Sequence, residues 1–131
     1  MNSMNDKKEY KILIVDDYDL DRMIFIRFLA GDKEMKYQFL EAESAKDAVQ
    51  ILDSTPIDCL ITDYNLLGET GLTLMDKLRN ESRKTVPVMV SGTSDEKVLK
   101  LISNREFLFF QKDHLDRQDF LTKIKTRLLA S

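Results

Sequence analysis

Lys11-Ile12-Leu13-Ile14-Val15 runs without interruption into Asp16-Asp17. Four consecutive bulky aliphatic residues are too few for a helix and suit a strand inside a sheet covered on both faces. Four more runs of this kind follow: Gln38–Ala42, Ile57–Thr62, Val86–Val90 and Phe107–Gln111. Between and after them the apolar spacing is helical. Ala45, Ala48, Val49 and Leu52 fall at i, i+3, i+4 and i+7, and Leu72, Met75 and Leu78 and then Leu121, Ile124 and Leu128 do much the same. A helix is expected over Leu20–Leu29 and a short one over Glu96–Ile102. Ser44 and Asp47 stand where a capping hydroxyl and an acidic first turn help a helix to start. Pro56 and Pro87 fall just before or at strand starts, where proline is tolerated.

Five β–α alternations predict one α/β domain, a doubly wound (βα)5 unit with a mainly parallel sheet and helices on both faces. The 131 residues suffice for one core. Residues 1–10 read as a polar leader and residues 11–131 as the domain. With 43% hydrophobic and 33% charged residues the chain has an ordinary globular balance. A net charge of −3 gives no basic field for nucleic acid or an anionic membrane. Lys123, Lys125 and Arg127 read as the solvated side of the last helix. No apolar run is long enough to span a bilayer, and Met1–Lys11 lacks the apolar segment of a secretory signal. A single cysteine, Cys59, excludes an internal disulfide and is expected to pack in a strand, and the single His114 is expected at the surface. The cytoplasm is the expected compartment.

Sites in such sheets form at the carboxyl ends of the strands. There this chain places Asp16 and Asp17, Asp63, Ser91 followed by Gly92, and Lys112. Three carboxylates at one rim raise one another's pKa and call for a compensating cation. Oxygen donors of this kind suit Mg²⁺, which also keeps waters and phosphate oxygens as ligands. Lys112 is a compact charge for a phosphoryl oxygen, Ser91 a donor for another, and a carboxylate can act as nucleophile to form an acyl phosphate.

The chain resembles the receiver domains of two-component response regulators from about Lys11 to Leu129. The resemblance rests on Ile12-Leu13-Ile14-Val15-Asp16-Asp17, then Leu60-Ile61-Thr62-Asp63-Tyr64-Asn65 with Gly71 downstream, then Val86-Pro87-Val88-Met89-Val90-Ser91-Gly92, then Phe109-Phe110-Gln111-Lys112. It implies a flavodoxin-like sheet of order 2-1-3-4-5. It further implies that Asp63 is the phosphoacceptor for a phosphohistidine on a sensor histidine kinase or a histidine phosphotransfer protein. Asp17, Asp63 and the backbone carbonyl of Asn65 would bind Mg²⁺ (or Mn²⁺), with Asp16 acting directly or through water. Ser91 and Lys112 would contact the phosphoryl oxygens, and Phe109 would be the switch aromatic that follows Ser91. The surface formed by the fourth helix, fifth strand and fifth helix would signal to a partner or output domain, or support a homodimer. Such a chain is a signalling domain that supports its own phosphorylation and dephosphorylation rather than an enzyme. It would stand alone or form part of a longer regulator or hybrid kinase.

Several residues depart from the family pattern. Lys112 is followed by Asp113 where proline is usual; a cis bond without proline costs about 2.5–4 kcal/mol, so trans geometry is expected unless the site stabilises a strained cis bond. Leu67 stands where a proline is common. Ser103-Asn104-Arg105-Glu106 lacks the usual Gly-Ala pair. Asn65 and Thr93 flank the expected path of an attacking water and are candidates for setting the lifetime of the phosphorylated state.

Three other readings compete. A haloacid-dehalogenase-like phosphatase needs two carboxylates two residues apart on the nucleophile strand, but Asp63 is followed at that spacing by Asn65. A receiver-like binding module without phosphoryl chemistry is favoured only by the missing proline. A flavodoxin-like cofactor carrier would need a phosphate loop after the first strand, where Asp16-Asp17-Tyr18-Asp19 repels phosphate.

Overall fold

The computed structural model describes residues 8–92, 95–103 and 106–130. Thr93, Asn104, Arg105 and most of the leader read from the sequence lie outside these residues. Five strands form one parallel sheet: β1 (Glu9–Val15), β2 (Lys36–Ala42), β3 (Cys59–Thr62), β4 (Val86–Ser91) and β5 (Leu108–Gln111). Their order is β2-β1-β3-β4-β5, as the resemblance implied. The helices are α1 (Asp19–Ala30), α2 (Ala45–Ser54), α3 (Leu72–Asn80), α4 (Glu96–Ser103) and α5 (Arg117–Ala130).

Strand alternation divides the core in two. Leu13, Val15, Leu60 and Met89 face α2, α3 and Ile102 of α4. Ile12, Ile14, Cys59, Ile61, Val88 and Val90 face α1 and α5. Phe120 of α5 is fully buried on that second side, with its ring 5.0 Å from Phe110, 5.9 Å from Phe25 and 6.0 Å from Phe28. Ser44 caps α2 as expected, its hydroxyl accepting from the Asp47 amide at 3.1 Å. Cys59 is buried and His114 is exposed, as read from the sequence.

Several boundaries differ from the sequence reading. β1 begins at Glu9, two residues early, because Glu9 and Tyr10 pair with Lys36 and Tyr37 of a β2 that is also longer. β3 begins at Cys59 rather than Ile57, since the Asp58 side chain itself takes the Lys11 amide at 2.8 Å. The inward stripe of α5 is Phe120, Ile124 and Leu128; Leu121 is only half-buried. A two-stranded hairpin, Asn65–Leu66 with Glu69–Thr70, follows β3 and was not anticipated. Its turn uses Gly68 at φ +76°, a conformation glycine adopts without penalty. The short α4 agrees with the sequence, and its one buried residue is Ile102.

Candidate phosphoacceptor and metal site

Sheet register brings the polar strand ends together. Val15 pairs with Thr62, so the next residues, Asp16 and Asp63, stand side by side. The Asp63 amide donates to the Val15 carbonyl at 3.0 Å, and the Asp16 amide donates to Ala42 at 3.1 Å. Ser91 pairs with Gln111, which puts Lys112 one step beyond β5 at the same rim. Asp16, Asp63 and Ser91 are buried, while Asp17 and Asn65 are exposed.

Lys112 connects the acidic groups. Its ammonium donates to Asp63 Oδ2 at 3.1 Å, Asp16 Oδ2 at 3.0 Å and Asp21 Oδ2 at 2.8 Å. Burial raises the Asp63 pKa, partly opposed by the charge and hydrogen bond of Lys112 and by the amides of Tyr64 and Asn65. Burial also raises Asp16, against the Tyr18 amide and Lys112. Burial pulls the Lys112 ammonium down, but its hydrogen bonds to Asp21 and Asp16 and the charges of Asp63 and Asp16 outweigh this, and its pKa rises. Lys112 therefore stays charged at neutral pH.

Oxygens of Asp16, Asp17 and Asp63 lie within 4.8 Å of one another. This set contains hard oxygen donors only, with neither sulfur nor imidazole, and so fits Mg²⁺ or Mn²⁺. One lysine against four carboxylates, counting Asp21, leaves negative charge for a divalent cation to offset. The loop after Asp63 is held tightly. Gly71 donates to the Tyr64 carbonyl at 2.6 Å, and a Cβ at Gly71 would collide with the Asp63 carbonyl oxygen. Among the described residues there is no cis peptide bond, so the bond from Lys112 to Asp113 is trans, and the chain continues as a single 3-10 turn, Lys112–His114. Phe109 is half-buried opposite Met89, in the register row just before Asp16 and Asp63, and packs into the α2–α4 side of the core.

Two residues escaped the sequence reading. Asp21 follows Asp17 by one helical turn in Asp17-Tyr18-Asp19-Leu20-Asp21, a spacing that could have suggested a fourth carboxylate at the rim. Arg22 is 7% exposed; its guanidinium donates to the Asp16 carbonyl at 2.5 Å and to Glu41 at 2.9 Å. Only its place beside Asp21 hinted at this.

The model of the response regulator receiver domain matches residues 12–125. The two-component response regulator ORR6 of Oryza sativa subsp. japonica is 33% identical over 93 residues, covering 68% of this chain and 53% of that protein. The chemotaxis protein CheY of Pseudomonas aeruginosa is 38% identical over 81 residues, covering 61% of this chain and 64% of that protein. The matched stretch thus spans between about half and two thirds of these two relatives. Among solved structures, the signal receiver domain of an HD domain-containing protein from Pseudomonas fluorescens has a TM-score of 0.81 at 24% identity, covering 94% of this chain and 97% of that one. A family match that runs from the first core strand into the last helix, with acidic strand ends converging on one lysine, makes this chain a member of the response regulator receiver domain family of two-component systems.

Proposed function

We propose that the chain takes a phosphoryl group onto Asp63 from a phosphohistidine on a sensor histidine kinase or a histidine phosphotransfer protein. The supporting observation is Asp63 itself, nearly buried at the rim between Asp16 and the Lys112 ammonium. The Asp63 carboxylate attacks phosphorus as the bond to the imidazole nitrogen breaks, leaving an acyl phosphate and a free imidazole. Lys112 and Ser91 take phosphoryl oxygens and neutralise their charge. Asp16, Asp17, Asp63 and the backbone carbonyl of Asn65 would hold Mg²⁺ or Mn²⁺. When bound, such an ion offsets the crowded carboxylates and the charge on the transferring group.

The phosphoryl group adds about −1.5 to −2 of charge, which draws Ser91 and Lys112 inward and biases Phe109 and the α4–β5–α5 surface toward the form a target, an output domain or a second copy reads. The donor would approach over Tyr18, Leu20, Met23, Ile24 and Leu67, exposed apolar side chains on α1, the loop before it and the hairpin turn, close to the acidic rim. No helix among the described residues is long and apolar enough to cross a membrane. The compartment proposed for the reaction, on the family membership alone, is the cytoplasm. Incubation with acetyl phosphate and Mg²⁺, followed by intact mass, should show a gain of one phosphoryl group. Chelation and Asp63→Asn should each remove it. An unmodified wild-type chain would make this a binding module instead.

A further inference from the structure

Lys112 has no proline behind it and leaves β5 into one 3-10 turn. Its own backbone therefore does little to aim a flexible four-carbon side chain. The aim comes from its acceptors, of which the nearest is Asp21, at 2.8 Å. Asp21 is outside the Asp16, Asp17 and Asp63 group that could hold a cation. It is mounted rigidly, because the next residue, Arg22, is buried and bonded to the Asp16 carbonyl and to Glu41. The first turn of α1 is thereby tied to the end of β1. Asp19 also lies in that first turn, so the helix dipole has an acidic partner without Asp21.

Asp16 and Asp63 are the carboxylates committed to metal and phosphoryl group in the function proposed above. Once they are so engaged, Asp21 is the remaining carboxylate that holds Lys112. We propose that Asp21 is a positioning residue, which fixes the Lys112 ammonium on the α1 side of the pocket and so aims it at the group that Asp63 receives. This inference rests on that function, but the holding contact itself does not.

The test compares the full wild-type chain with Asp21→Asn and Asp21→Glu. The first reading is the NMR signal of the Lys112 ammonium at saturating Mg²⁺, where Asp16 and Asp63 are drawn to the ion. The second is phosphorylation by acetyl phosphate, separated into maximal rate and half-saturating Mg²⁺. Asp21→Asn should broaden the ammonium signal away by speeding its exchange with water, and Asp21→Glu should restore it. The maximal rate should fall on the order of tenfold in Asp21→Asn, as expected for a misaimed group, without a comparable change in half-saturating Mg²⁺. An ammonium signal and maximal rate that do not change in Asp21→Asn would overturn the proposal. So would a shift confined to half-saturating Mg²⁺, which would make Asp21 part of the metal's field. If the wild type takes no phosphoryl group while the Lys112 signal still depends on Asp21, the Asp63 reading fails and the holding role stands.

Discussion

A charge on Asp63 is costly in the metal-free protein. Burial pushes its carboxyl pKa up more than Lys112 and the neighbouring amides pull it down. The native state therefore holds that proton at a higher pH than the unfolded chain does, and this group stabilises the fold as pH falls through its raised pKa. Asp63→Asn removes the buried charge and leaves Lys112 its bonds to Asp16 and Asp21. In thermal melts without metal at pH 7, the variant should unfold a few degrees above the wild type, and the gap should narrow as the pH is lowered into the carboxylate range. A variant that melts lower, or a gap independent of pH, would contradict this. Asp16, Asp17, Asp63 and Lys112 could be picked out in the sequence because each ends a recognisable strand. Asp21 and Arg22 could not, because inside a helix an aspartate and an arginine look like ordinary solvated residues. Their roles depend on which strands α1 crosses.

The loop from Asp63 to α3 is held close to the strand end it leaves. Gly71 allows it, since any side chain there would press on the Asp63 carbonyl oxygen and crowd Thr62. Gly71→Ala should destabilise the domain by about 1–3 kcal/mol, the range for overpacking, and denaturant unfolding will measure it. An unchanged midpoint would show that the loop can relax. Its hairpin was hidden in the sequence because two-residue strands carry no periodicity. The start of β3 was misread because Ile57 is apolar, although the Asp58 side chain substitutes for a ladder bond at that point. In α5, Leu121 and Phe120 compete for the inward position, and the ring takes it because Phe25, Phe28 and Phe110 surround it.

At the scale of the molecule, two apolar layers clamp a sheet whose order followed from the family resemblance and whose alternation was plain in the sequence. Phe120 joins α5 to α1 and β5 through ring contacts. Phe120→Ala should cost about 3–5 kcal/mol, a large part of the stability of a domain this size, and should separate α5 from the sheet in hydrogen exchange. Full protection of α5 in that variant would count against this packing account. The layers serve to hold five strand ends in register, so that carboxylates repelling one another in solution are kept together around one lysine. We propose that this arrangement makes Asp63 a phosphoacceptor. Borohydride reduction of the chain after acetyl phosphate and Mg²⁺ converts an aspartyl phosphate to homoserine, which peptide mapping can locate. Homoserine is expected at position 63 alone; an unmodified Asp63 peptide, or homoserine at Asp16, Asp17 or Asp21, would overturn the phosphoacceptor role of Asp63.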